Sequence, residues 1–363
     1  MTDRIIKRGN MKPLSIHKLY LSLIAIALGT ARAMGSDLPK PDGKPADMAK
    51  PVQVYVLMGQ SNMLNFGNLK KLTAVVKEKK KYQYLVDGSG NWLARQDVRN
   101  VWVGGSGGPG KRRLMLNDWM QVGKTNVGVE FGIGHHVGNV TDAPVMILKS
   151  CTGNRSLGWD LLPPGSKQYE FEDKGKTWTY AGHGDSPDRW VKGTTPKRIG
   201  WSAGIQYLGD VARAKEVLND LGTYYPGATN YEVAGFFYWQ GDKDRYNTGH
   251  ATRYELNLVA LIKALRKEFN APKAKFVCAT LGQTDKEAGG NEGHILRAQL
   301  AVDGKTGKYP EFKGNVASVY SKPFNHGGSS NGHYGGNPET YMDVGQAMGA
   351  AMAEMIKNDS KAD

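Results

Sequence analysis

The sequence predicts a three-layer α/β sandwich: a central parallel sheet with helices on both faces. Apolar runs at 52–58, 144–150, 233–239, 275–280 and 315–320 have the length and the β-branched and aromatic content of strands. Helical periodicity recurs between them, in Tyr207, Leu208, Val211, Leu218 and Leu221 and again in Leu258, Leu261, Ile262, Leu265 and Phe269. No repeat of fixed period and no interdomain linker interrupts the 363 residues, so the alternation of strands and helices reads as one large domain.

In chain order, residues 1–33 read as an export leader. Arg4, Lys7, Arg8, Lys12 and Lys18 precede an apolar run, Leu19 to Leu28, and Ala31-Arg32-Ala33 is a small-x-small cleavage signal. Met11 is an equally good start. The run is shorter than the ~20 apolar residues a membrane span requires. The expectation is an exported chain, periplasmic or extracellular, without a stable membrane anchor after leader removal. Residues 34–51 form an N-terminal extension, 52–358 the domain and 359–363 a tail.

The first strand runs into Gly59-Gln60-Ser61-Asn62. Gly59 permits a sharp bend, and Ser61 would then stand at the carboxyl edge of the sheet as a nucleophile. Three further polar or glycine signals end other apolar runs: Gly153 after 144–148, Trp239-Gln240-Gly241-Asp242 after 233–238, and His333 ahead of the last helix. That helix is well specified. Asn337 is its cap, Pro338 and Glu339 fill its first turn, and Tyr341, Val344, Met348, Met352 and Ile356 share a face.

Residues 66–127 and 163–204 lack clean periodicity and read as surface insertions. The second holds Trp178, Tyr180, Trp190 and Trp201, which either pin the insertion to the core or offer flat faces to sugar rings. The first contains Gly105 to Arg112, which fits a phosphate loop except at its last position, where Arg112 replaces the Ser or Thr that holds magnesium. Nucleotide binding is not expected. Asp87 to Asn91 reads as a plain hairpin turn rather than a calcium loop.

Of the net charge of +14, the leader carries +5, six Lys or Arg against one Asp, leaving +9. The basic residues fall in short runs such as Lys77 to Lys81 and Lys111 to Arg113, with no recognition helix or aromatic-rich RNA-binding strand. A solvated face is expected, and no nucleic-acid partner. Of eight histidines, His17 leaves with the leader, and His135 and His136 lie in a helical apolar-glycine stretch. His183, His250, His294 and His326 have no patterned neighbours. No spacing of histidines and carboxylates matches a metal site, so neither metal nor cofactor is expected.

Gly-Gln-Ser-Asn at 59–62, Gly-Val-Glu-Phe-Gly at 128–132, Thr-Gly-Asn-Arg-Ser-Leu at 152–157, Trp-Gln-Gly at 239–241 and His-Tyr-Gly-Gly-Asn-Pro-Glu-Thr-Tyr at 333–341 together resemble the sialate O-acetylesterase domain. That domain includes the acetylxylan esterases of carbohydrate esterase family six, within the SGNH hydrolase superfamily. The resemblance covers residues 52–356 and implies a flavodoxin-like sheet of order 2-1-3-4-5 and deacetylation of an acetylated oligo- or polysaccharide. In that order Cys151 and Cys278, the only cysteines, are expected to be one strand apart, about 10 Å. Both should then be buried free thiols.

The implied chemistry is acyl transfer from an acetylated sugar. His333 takes the proton of Ser61, and an oxyanion hole is made by the N–H groups of Ser61 and Gly153 and the side-chain amide of Gln240, placed by the match to Trp-Gln-Gly. Gln60, Asn62, Arg155 and Trp190 are expected substrate contacts. The orienting acid is open. Where many superfamily members have Asp three residues before the histidine, this chain has Ser330, which leaves a dyad or an acid from another strand end: Asp244, Asp242 or Glu130. Two other functions stand beside this one. A non-catalytic carbohydrate-binding protein on an esterase scaffold has no need of both a nucleophile and a base, and a lipase would call for an apolar lid that the chain lacks.

Overall fold

All residues of the first strand, β1 (Val52–Gly59), are buried except Gln53, as expected for a strand covered on both faces. The computed structural model describes residues 38–110 and 112–360. The leader over 1–33, residues 34–37 of the extension, Lys111 and tail residues 361–363 lie outside the described residues. The remaining strands are β2 (Ala94–Gly104), β3 (Arg113–Gln121), β4 (Val145–Ser150), β5 (Tyr169–Asp173), β6 (Lys176–Tyr180), β7 (Arg189–Val191), β8 (Tyr231–Trp239), β9 (Lys275–Ala279) and β10 (Val316–Val319). The helices are α1 (Leu69–Glu78), α2 (Glu130–Gly138), α3 (Ile205–Asn219), the single turn α4 (Leu221–Tyr224), α5 (Thr248–Glu268), α6 (Gly290–Ala301) and α7 (Pro338–Asp359).

Seven strands form one sheet in the order β10-β9-β8-β1-β4-β2-β3. All neighbours are parallel except the β2–β3 pair. The five strands read from sequence take the order 2-1-3-4-5 within it. Alternate residues of β1 serve the two faces: Val52, Val54, Val56 and Met58 join one core with Tyr207 and Val211 of α3, Leu258, Leu261 and Ile262 of α5 and Ile295 of α6. On the other face α2 and α7 cross at backbone contact. A Cβ on Gly132 would come within 2.3 Å of the Gln346 nitrogen, and one on Gly345 within 2.4 Å of the Val129 oxygen, so only glycine fits.

Several expectations change. The insertion at 66–127 supplies α1 and two strands of the central sheet, β2 and β3. Charge concealed β2: Arg95 and Arg99 are both buried, Arg95 against Asp97, Asn139 and the His135 carbonyl, and Arg99 against Asn117 and the Tyr224 carbonyl. The insertion at 163–204 folds into a separate antiparallel sheet, β5-β6-β7. It docks on the start of α5 through Tyr169 Oη, which donates to the Gly249 carbonyl at 2.9 Å. Leu208 is 40% exposed rather than core, and Leu221 lies beyond the end of α3. Cys151 and Cys278 are buried and free, but two strands, β1 and β8, separate their own, about 14 Å rather than 10 Å.

Candidate active site

Strand β1 runs parallel to β8, and the two end together with Gly59 paired to Trp239. Gly59 has φ +142°, and a Cβ there would lie 2.4 Å from the Trp239 oxygen, so glycine alone lets the two strand ends meet. One 3₁₀ turn, Ser61–Met63, follows. Ser61 is 9% exposed, and among the described residues its hydroxyl has no hydrogen-bond partner. Gly153 lies against it, since a Cβ built on Gly153 would be 3.4 Å from the Ser61 Cβ. The Gly153 N–H donates to no described residue. The Ser61 N–H opens a helical turn, where a donor has no intrahelical partner.

His333 is presented by an unusual backbone. His333 (φ 50°), Tyr334 (φ 54°), Gly335 (φ 62°) and Gly336 (φ 65°) are consecutive left-handed residues, and the two that are not glycine cost on the order of 1 kcal/mol or more each. Tyr334 holds the turn. Its ring stacks on Trp239 at the end of β8 (5.4 Å between centroids, 11°), and its Oη accepts from Gly282 N at 3.1 Å and from Asn62 Nδ2 at 3.4 Å. Asn62 and Tyr334 are the neighbours of Ser61 and His333, so this bond joins the two turns over one sheet edge. The imidazole itself stacks on Phe66 at 3.7 Å and 2° from parallel. Partial burial lowers the His333 pKa below its ordinary value, and the charge of Asp242 acts the other way.

The three acids expected to orient His333 separate clearly. Asp242 is the one whose charge acts on the imidazole. Its Oδ1 accepts from Arg245 Nε at 2.9 Å and from the hydroxyl of Ser330, the residue that stands three before His333. Asp244 faces away. It accepts from Leu157 N (2.9 Å), Gly158 N (2.8 Å) and Gln240 Nε2, and burial pushes its pKa up to about 6 against the pull of those bonds. Glu130 is in a buried ion pair with Lys149 Nζ (2.7 Å) and also takes a bond from Asn65 Nδ2 (2.6 Å).

Gln240 requires a correction. It is fully buried, and its amide nitrogen donates to Asp244, to the Arg155 carbonyl (2.9 Å) and to Gln60 Oε1 (3.1 Å), while its oxygen accepts from Tyr254 Oη at 2.7 Å. No donor is left for an oxyanion. Gln60 is buried too, and its Oε1 accepts from Gln240 and from Lys243 N. Asn62 is wholly buried, and Trp190 packs on Leu162, Ala181 and Ala203. Arg155 stays at the rim, with Nη2 on Ser106 Oγ at 2.6 Å and its guanidinium 4.8 Å from the Trp201 ring. The stack of Phe66 and the Ser330–Asp242 bond had no signal in the sequence. Each joins residues from distant segments.

Beside Gly153 opens a cleft of about 760 Å³, whose lining includes Leu64, Gly153, the glycine-rich loop 104–108, Arg113 and Trp201.

Residues 180–354 match the family model described as carbohydrate esterase, sialic acid-specific acetylesterase. The match takes in Trp239-Gln240-Gly241 and His333, while Ser61 comes from strand β1 outside it. No curated protein matches the chain. Among solved structures, a carbohydrate acetylesterase from Xanthomonas citri aligns with a TM-score of 0.50 at 16% identity, over 84% of this chain and 56% of that one. A protein of Arabidopsis thaliana aligns with a TM-score of 0.49 at 17% identity, over 84% of this chain and 99% of that one. NanS aligns with a TM-score of 0.45 at 15% identity, over 86% and 99% respectively. The likeness to the Xanthomonas citri enzyme is one of fold, and this chain spans 56% of its length. Residues 180–354 are therefore similar to the sialate-type carbohydrate O-acetylesterases, a family of ester hydrolases, and the rest of the chain completes the sheet on which that segment sits.

Proposed function

We propose that the protein is an exported serine esterase that removes O-acetyl groups from a saccharide through an acetyl-serine intermediate. The observation that carries this reading is the joining of two turns at one sheet edge. Among the described residues, one bears a hydroxyl without a partner, the other an imidazole without a hydrogen bond, and the N–H of Gly153 is free beside the first.

In the first step His333 accepts the Ser61 proton as Oγ bonds to the acetyl carbon. The carbonyl electrons move to oxygen, and that oxyanion is held by the N–H groups of Ser61 and Gly153. Collapse breaks the bond to the sugar oxygen, which takes the proton back from His333. Water then repeats the sequence on the acetyl-serine and releases acetate. Asp242 is the orienting acid in this scheme. Its charge favours the imidazolium, and its bond to Ser330 ties it to the segment that leads into His333. The lowered pKa of His333 suits a base that must be neutral at rest.

Acetate release from acetylated xylan, O-acetylated sialic acid and acetylated peptidoglycan, measured side by side on wild type and Ser61→Ala, tests the reading. Hydrolysis of at least one that disappears in the variant supports it. Turnover that survives the loss of both Ser61 and His333 ends it. Export rests on the leader sequence, and a mature N-terminus near residue 34 on protein recovered outside the cytoplasm is the matching check.

A further inference from the structure

The cleft beside Gly153 is larger than an acetyl group needs: about 760 Å³, within the roughly 300–1,000 Å³ of pockets that hold whole ligands. Its lining runs continuously away from the nucleophile. Gly153 lies on Ser61, a Cβ on Gly104 would sit 3.6 Å from the Cys151 oxygen, and one on Gly107 would sit 3.6 Å from the Trp201 ring. The loop that forms this path is bare of bulky side chains yet firmly held. Gln206 of α3 accepts from Gly107 N at 2.8 Å and donates to the Gly105 oxygen at 2.9 Å, and Thr152 Oγ1 donates to the same oxygen at 2.8 Å. Arg213 reaches the carbonyls of Gly107 and Gly108. Trp201 is fixed in turn by Gly107 and by the Arg155 guanidinium. Trp190 lies in an apolar cluster, whereas Trp201 lines open space.

We propose that this cleft holds sugar units beyond the one that carries the acetyl ester, with Trp201 as the platform for a neighbouring pyranose. The inference rests on the esterase reading and goes further, because it makes an oligosaccharide, rather than a lone acetylated sugar, the better substrate. An indole face buries much apolar area with little loss of freedom, and the C–H face of a pyranose is its flat counterpart. A rigid loop of four glycines and one serine lets a chain of rings lie close to the backbone with little cost of ordering the site.

The test is kcat/KM on acetylated xylo-oligosaccharides of one to four units. In wild type it should rise by on the order of tenfold from one unit to three, equivalent to about 1.4 kcal/mol. Trp201→Ala should remove most of that rise and Trp201→Phe part of it. A wild-type value independent of length overturns the proposal, as does a rise that survives in a folded Trp201→Ala. If Trp201→Ala does not fold, Trp201→Phe decides, and an unchanged rise counts against the platform. If wild type cleaves no acetyl ester, the esterase reading fails separately. Binding of unacetylated xylotriose, followed by NMR, then judges the cleft: binding weakened in Trp201→Phe upholds it, and absence of binding to wild type overturns it.

Discussion

The ends of β1 and β8 lie side by side and carry similar short polar motifs, Gly59-Gln60-Ser61-Asn62 and Trp239-Gln240-Gly241-Asp242, yet their side chains meet opposite conditions. At β1 the Ser61 hydroxyl finds no partner among the described residues. At β8 every hydrogen-bonding atom of the Gln240 amide is engaged, as are both oxygens of nearby Asp244. A buried polar group that is satisfied holds structure together, and one left open beside a cleft is available for chemistry. The comparison assigns reaction to the first strand end and bracing to the second, with Asp242 as the exception that turns from the second toward His333.

The largest expected effect is Ser61→Ala. It should lower kcat on acetyl esters by roughly 10³-fold or more with no loss of thermal stability, and the Ser61→Ala/His333→Ala double variant should be little worse than either single one, because the two act as a unit. Losses that multiply would separate the two turns functionally. Next is Asp242→Asn, with a fall in kcat of roughly 10²–10⁴-fold, the range that loss of an orienting carboxylate can reach. It should also shift the pH profile. The Asp242 charge raises the His333 pKa, so its removal lets the base stay neutral at lower pH and moves the acid limb of kcat/KM downward. An acid limb that stays put would return the site to a dyad.

Gln240 tests the contrast itself. Gln240→Ala takes one bond from the buried Asp244 carboxylate, which keeps Leu157 N and Gly158 N, and leaves the Tyr254 hydroxyl proton without its acceptor, at a cost of about 1–3 kcal/mol for a buried group left unsatisfied. Its melting temperature should fall. A donor in the oxyanion hole behaves differently: its loss costs roughly 10²–10³ in kcat. A Gln240→Ala protein of unchanged stability with such a fall in kcat would reverse the assignment of the two strand ends.

The two turns could be read from the chain because their backbone requirements are local: a glycine at the strand end for Ser61, and an Asn-Pro-Glu helix start just beyond His333. The sheet core was equally legible where strands are apolar throughout. What could not be read depends on partners far along the chain. Arg95 and Arg99 made β2 look like surface until Asn139, Asn117 and Tyr224 gave them bonds. Asp242 and Asp244 are two residues apart and chemically alike, and only Ser330 and Arg245 on one side, Leu157 and Gly158 on the other, give them different tasks. Gln240 matched a motif by type, but the direction of an amide is decided by Tyr254, Gln60 and Asp244 together.

The smallest expected effect concerns how the His333 imidazole keeps its place with no hydrogen bond from the described residues. Phe66 lies flat against the imidazole, and aromatic pairs contribute about 0.5–1.5 kcal/mol beyond burial, a factor of roughly 2–13. The stack is itself supported from below, because Asn65 bonds Glu130 and the Asn126 carbonyl, Gly67 pairs with Val127, and Lys149 neutralises Glu130 in the interior. Phe66→Leu should therefore lower kcat several-fold with little change in KM, and Phe66→Tyr should restore it. The pH profile gives the stricter measure. Burial is the larger cause of the lowered His333 pKa, so uncovering the ring admits water and raises that pKa, which moves the acid limb upward, opposite to Asp242→Asn. Shifts of the same sign in the two variants would mean that Phe66 acts on the fold around the turn rather than on the imidazole.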